Sequence, residues 1–167
     1  DPADIAWHTR QLSRSLAVAK SQQKNVGVIV RARLSPIGEG LQVMVYTPDQ
    51  TDLFARICGY FDQAEFSIQD AKVHTAKNGY ALDTFLVTEP AFASNYRDII
   101  NLIEHELSDV LSKQAPLTTP NQGRLSRLSR NFPLVPTVEL RPDDKGQYFL
   151  LSISANDKNG LLYSVAS

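Results

Sequence analysis

An α+β fold, one antiparallel sheet with two helices on one of its faces, is predicted by three features of the 167-residue sequence. Between Leu41 and Leu140 the strand and helix patterns follow the order β-α-β-β-α-β. Asn78-Gly79 between two β-rich runs is the strongest hairpin signal in the chain. Two stretches with apolar residues at helical spacing, near 53–64 and 94–114, supply the two helices.

The elements follow in order. Asp1-Pro2-Ala3-Asp4 reads as a helix start, with Pro2 at the first helical position and acids near the positive helix end. Ile5, Leu12, Leu16 and Ala19 recur on one face, and the helix is expected to end near Lys24-Asn25. Val26 to Arg33 is short and β-branched, hence a strand. The turn chemistry of 35–40 joins it as a hairpin to Leu41–Tyr46, where Leu41, Val43 and Val45 alternate with Gln42, Met44 and Tyr46. After Thr47-Pro48-Asp49, a helix carries Leu53, Phe54, Ile57, Cys58, Phe61 and Ala64. Phe66–Thr75 is a strand whose apolar phase shifts between Ile68 and Ala71, the mark of a bulge. Tyr80–Val87 returns with apolar residues on both faces, so both faces need a cover or a partner sheet. The helix from Ser94 to Gln114 buries a stripe from Tyr96 to Leu111 and is expected to leave Glu104, His105, Glu106 and Asp109 in water. Phe132–Leu140, with Pro133 and Pro136, reads as an edge strand and the fourth strand of the unit. Tyr148–Ser154 is a further strand, and a helix begins near Gly160. The whole is a ferredoxin-like βαββαβ unit preceded by an extra helix and strand. The expected division is 1–25, 26–141 and 142–167.

Composition narrows the function classes. With 17 basic and 18 acidic residues the net charge is -1, which gives no general attraction to nucleic acid or an anionic membrane. No apolar run is long enough for a membrane span. The single cysteine, Cys58, excludes an internal disulfide and a CxxC site, and its apolar surroundings suggest a buried thiol. His8, His74 and His105 have no metal-ligand spacing, so no metal site is expected. No Walker loop, GxSxG elbow or GxGxxG occurs, and no catalytic residue is assigned. The chain opens on Asp1 and stops inside an apolar helical pattern, so a piece of a longer polypeptide is expected.

An internal repeat is visible. Val45–Ala55 and Ile153–Tyr163 are each a strand, then Asp-x-x-(Asp/Gly)-Leu, then an apolar helix. This turn between the first strand and first helix of a βαββαβ unit resembles that of ACT domains, which are small-molecule sensing modules, often for amino acids. The run Tyr46-Thr47-Pro48-Asp49…Leu53-Phe54-Ala55, with Ser67–Ala71 and Asn78–Phe85, resembles more specifically the C-terminal regulatory region of bifunctional uridylyltransferase/uridylyl-removing enzymes of the nitrogen-signalling protein PII. Ile5–Thr9 and Pro136–Asp143 are similar to the flanks of that region.

The resemblance implies a first ACT domain in 26–141, a truncated second one in 142–167, and a helix in 1–25 leading from an upstream catalytic region. It implies a cytoplasmic, non-catalytic segment that senses glutamine, with PII a partner of the parent enzyme. It also implies UTP and Mg2+ for that parent, none of them for this segment, and an ACT–ACT homodimer as an option. The binding residues it implies are Asp49, Gln50, Thr51, Asp52 and Leu53 in the first turn, and Asn156, Asp157, Asn159, Gly160 and Leu161 in the second. The turn departs from the ACT pattern. Its usual Pro is Thr51 and Asn159, and its usual Gly is Asp52 in the first copy but Gly160 in the second. A side chain at Asp52 would crowd a backbone-bound ligand, so the second copy carries the better turn.

The chemistry admits plainer readings too. Asp49 and Asp157 fit both helix capping and ligand contact, since free N–H groups at a helix start bind either a cap or a ligand carboxylate. Asp83 in an apolar strand calls for pairing or an interface. His74 with Lys72 and Asp70 reads as an exposed edge. Arg124, Arg127 and Arg130 fit an anion contact or a solvated linker. A structural, dimerising module with no ligand of its own is the alternative function.

Overall fold

The computed structural model describes residues 2–21, 27–36, 38–88, 95–114, 116–117, 119, 135–142, 149–155 and 160–167. The elements are α1 (Pro2–Ser21), β1 (Ile29–Leu34), β2 (Leu41–Pro48), α2 (Leu53–Gln63), β3 (Ser67–Lys72), β4 (Tyr80–Thr88), α3 (Tyr96–Lys113), β5 (Thr137–Pro142), β6 (Phe149–Ser154) and α4 (Leu161–Ala166). A four-stranded antiparallel sheet runs β1-β2-β4-β3, and β5 pairs with β6 in a separate ribbon.

The local signals account for the sheet's interior. The β2–β4 register sets Val43 beside Phe85 and Val45 beside Asp83. Leu41, Val43, Val45, Ala81, Phe85 and Val87 pack into one core with Ile57 and Phe61 of α2 and Ile103, Leu107 and Leu111 of α3. Phe61 and Phe85 meet at 5.8 Å between ring centroids, and Phe54 stacks on Phe85 at the same distance. The expected bulge in β3 lies between Ile68 and Asp70. The expected hairpin closes at Gly79, whose φ of 76° suits a residue without a side chain.

Three expectations change. The fourth strand of the unit is not the segment ending at Leu140. The outer place beside β2 is held by its expected hairpin partner β1, and β5 bonds to β6 instead. A short turn, closed by Ser35 N–H donating to the Gly40 carbonyl at 2.9 Å, delivers β1 to that edge locally. A strand arriving from far along the chain must first close a long loop. Helix α3 then lies against β1, and Glu104 Oε1 accepts the Ala32 N–H at 2.9 Å, blocking further pairing there. Glu104 is therefore half-buried rather than in the wet face, and Glu106 accepts the Tyr60 hydroxyl at 3.1 Å.

Second, the apolar back face of β4 is covered within the chain. Helix α1 lies across it, burying Gln42, Met44 and Thr84. Asp4 Oδ1 accepts from Arg33 Nη2 and Gln42 Nε2, each at 2.9 Å, and Asp4 also pairs with Lys72 at 3.9 Å. Arg33 lies 4.2 Å from the centroid of the Trp7 ring, and His8 Nε2 is 3.2 Å from Thr84 Oγ1. Third, the docked stripe of α1 is Asp4, Trp7, His8, Gln11, Leu12, Ser15 and Leu16, whereas Ile5 is 66% exposed. Polar groups that complement the sheet outweigh one isoleucine in choosing the face.

No described helix is long and apolar enough to cross a membrane. The basic segment with Arg124, Arg127 and Arg130 lies outside the described residues.

Candidate functional site

The β2–α2 turn has the backbone of a strand-to-helix bend. Asp49 N–H donates to the Gly79 carbonyl at 2.8 Å, tying the turn to the β3–β4 hairpin. Leu53 N–H donates to the Gln50 carbonyl at 3.2 Å, and the Asp52 carbonyl accepts from Arg56 at 2.9 Å. Asp52 is the N-cap residue of α2 and sits at φ 58°, ψ 23°, with no side-chain cap bond. Gly160 is the N-cap residue of α4 and sits at φ 73°, ψ 9°. The two positions aligned by the internal repeat thus share one left-handed conformation. That conformation is easy for glycine and strained for most other residues.

Helices α2 and α4 pack in opposite directions. A side chain at Gly160 would strike the Asp62 carboxylate near the end of α2, and one at Gly59 would come within 3.0 Å of the Tyr163 ring. Ala166, at the far end of α4, reaches the start of α2 beside Leu53 and Phe54. Gly59 and Gly160 let the pair close, and Tyr163 is buried in the core against α2. The glycine of the second turn is thus also required by the packing of Asp62 against it.

One cavity sits at each turn. The first, about 260 Å³, is lined by Asp49, Gln50, Asp52, Leu53 and Phe54, by Val73, Thr75, Ala81 and Asp83 of the hairpin, and by Ala166. The second, about 500 Å³, is lined by Gly160, Leu161, Leu162 and Tyr163, by Ile153 of β6, and by Phe54, Cys58, Asp62 and the Phe66–Ala71 edge. Ala166 closes the first cavity and Cys58 lines the second. They hold equivalent places, each six residues after its N-cap residue. The two cavities are thus related by the antiparallel helix pair but differ in chemistry: the first has an acidic, polar lining and the second is mainly apolar.

Of the expected binding residues, Asp49, Gln50, Asp52 and Leu53 line the first cavity, and Gly160 and Leu161 line the second. Thr51 is exposed beside the first, and its carbonyl accepts from Arg56 Nε at 3.4 Å. Asn156, Asp157 and Asn159 lie outside the described residues.

Asp83 is the residue whose place in the site was not foreseen. It is 1% exposed. Its Oδ1 accepts the His74 backbone N–H at 3.2 Å, while its Oδ2 has no hydrogen-bond partner. The expected pairing is therefore made by one oxygen only. Burial raises its pKa above the usual carboxylate value, the His74 bond opposes that, and the charge of Asp49 adds to the rise. The only hint in the sequence was an acid inside an apolar strand. Buried Gln50 Oε1 also lacks a partner.

The thiol of Cys58 is pushed up to about 12 by burial, with Asp83 nearby adding to the effect. A thiol held that high is unreactive at neutral pH. His74 is exposed, and Lys72 turns to Asp4. Among the described residues no group of three or more His, Cys, Asp or Glu is placed to hold a metal.

No family model matches the chain, and no solved structure matches it. Curated relatives do. The bifunctional uridylyltransferase/uridylyl-removing enzyme of Cupriavidus metallidurans is 57% identical over 166 residues, 99% of this chain and 19% of its own length. That of Cupriavidus pinatubonensis is 59% identical over 168 residues, 99% and 18%. That of Ralstonia nicotianae is 53% identical over 170 residues, 99% and 19%. The chain thus matches these bifunctional enzymes from end to end while spanning less than a fifth of their length.

Proposed function

We propose that the chain is the glutamine-sensing regulatory segment of a bifunctional uridylyltransferase/uridylyl-removing enzyme that modifies PII, and that it performs no chemistry itself. The supporting observation is the pair of cavities at the two strand-to-helix turns, in a chain 53–59% identical to these enzymes. On this reading α2 and α4 are corresponding helices of two ACT units, the second of them truncated. Glutamine binds where each turn meets the other unit's helix. A ligand that seals this junction favours one arrangement of the units in proportion to its differential affinity. The transfer and removal reactions, with UTP and Mg2+, belong to the remainder of the parent enzyme in the cytoplasm.

Two measurements test this. The full-length enzyme is expected to shift from uridylylating PII to deuridylylating it as glutamine rises, and Asp49→Ala to blunt that response without lowering the uridylylation rate in its absence. Insensitivity of the full-length enzyme to millimolar glutamine would end the sensor reading.

A structural, dimerising module is a second reading, favoured by the β5–β6 ribbon. Val138, Leu140, Phe149 and Leu151 are between 59% and 72% exposed, an apolar surface that a lone two-stranded ribbon does not cover. The back face of β4, which first suggested pairing, no longer argues for it because α1 covers that face. A concentration-dependent dimer by sedimentation, dispersed by Leu140→Lys and indifferent to glutamine, is the outcome that reading requires.

A further inference from the structure

We infer that the cavity beneath the Asp49–Leu53 turn seats a primary ammonium group, with Asp83 as its counter-ion and Gln50 as a second acceptor. The inference deepens the reading of this turn as an amino-acid sensor and rests on it.

The argument starts from unsatisfied oxygens. Asp83 Oδ2 and Gln50 Oε1 are buried, line one cavity and have no hydrogen-bond partner. Buried acceptors of this kind are rare, because each forfeits its bonds to water. Asp49 lines the same cavity and adds a second carboxylate. An ammonium group carries three N–H donors and one positive charge, so it matches two carboxylates and an amide oxygen in both number and sign. The cavity volume, about 260 Å³, accommodates the amino end of a small amino acid.

The same charges dictate which end of the ligand enters. A carboxylate at the start of α2 would meet the helix dipole favourably. It would also face Asp49, Asp52 and Asp83 together. One of the N–H groups at the helix start, that of Leu53, is already engaged by the Gln50 carbonyl. The amino end therefore goes inward against Asp83, and the carboxylate stays at the mouth. The second cavity carries its buried acid, Asp62, on α2 against Gly160 rather than on a hairpin strand, so the two sites present their charge from different sides.

Calorimetric titration of the 167-residue chain tests this, with glutamine, its analogue lacking the α-amino group, and a panel of the other amino acids. Asp83→Asn is the key variant. It can keep the oxygen that accepts from His74 while removing the charge and turning the second acceptor into an N–H donor, and circular dichroism verifies that it folds. Glutamine is expected to bind the wild type at least about tenfold more tightly than the deaminated analogue, the scale of a hydrogen bond to a charged group. Asp83→Asn should abolish that preference, and Gln50→Leu should reduce it. Equal affinity of Asp83→Asn and wild type for glutamine overturns the inference and leaves the sensor reading standing. Failure of glutamine, with Asp83-dependent binding of another amino acid, removes glutamine as the effector and keeps the ammonium site. If no amino acid of the panel binds the chain, the ammonium site is wrong, while the response of the full-length enzyme decides the sensor reading separately.

Discussion

Asp52 and Gly160 hold the same left-handed backbone conformation, so a change to glycine at the first and away from glycine at the second have opposite signs. Asp52 pays the left-handed penalty without a capping bond in return. Asp52→Gly is expected to stabilise the chain by about 0.5 kcal/mol, the relief of strain less the entropy glycine adds to the unfolded state. Gly160→Ala meets both a positive φ and the Asp62 carboxylate. It should destabilise by about 3 kcal/mol, combining left-handed strain with overpacking. Urea unfolding of the two variants checks the pair, and equal effects would mean that the turns are not equivalent. The repeat made the alignment of these two residues legible in the sequence. Their shared φ and the neighbour that Gly160 meets were not, because Asp62 lies almost a hundred positions away.

At the level of elements, the α2–α4 crossing depends on small residues opposite a large one. The Tyr163 ring rests on Gly59, and a methyl group there would sit 3.0–3.1 Å from ring atoms and 3.3 Å from the hydroxyl oxygen. Gly59→Ala lies inside a helix, where alanine is intrinsically better by about 1 kcal/mol. If α4 holds its place, the clash outweighs that gain and the variant loses stability by about 1 kcal/mol. Tyr163→Ala should lose about 3 kcal/mol by opening a cavity in the core. Thermal unfolding, together with hydrogen exchange of the α4 amides, measures both. A stabilised Gly59→Ala would mean that α4 is not docked on α2 in solution. The helical spacing of Leu53 to Phe61 revealed the buried face of α2, but not that Gly59 leaves room for Tyr163 of α4.

The whole molecule is layered: α2 and α3 on one face of the sheet and α1 on the other. The α1 layer is held largely by polar contacts, so pH should act on it. Burial lowers the pKa of His8 below its ordinary 6.5. The unfolded chain therefore binds that proton more tightly than the folded one. Stability is full above about pH 6.5 and falls as the pH drops through that value toward the lowered folded pKa. The Asp4 carboxyl is lowered mainly by its bond from Gln42, with Lys72 and Arg33 assisting against burial. Its contribution persists until the pH falls through 3.8 and its folded pKa, so the two groups act in separate windows. Melting temperature followed from pH 7.5 to 5.5 should decline, and His8→Gln should flatten that decline. An unchanged slope in His8→Gln would show that His8 is not buried against Thr84.

By itself the sequence determined the order of strands and helices, the hairpin at Asn78-Gly79, the bulge after Ile68 and the turn that became the first cavity. These depend on residues close along the chain, where periodicity and turn chemistry act directly. Tertiary structure alone decided that β5 leaves this sheet to pair with β6, that α1 covers the back of the sheet, and that Asp83 faces a cavity with one oxygen unsatisfied. Each is the result of competition between distant segments for the same surface. A hairpin neighbour closes a shorter loop than a remote strand, and the charge of Asp83 acquires its meaning only when Gln50, Asp49 and Ala166 surround the same space.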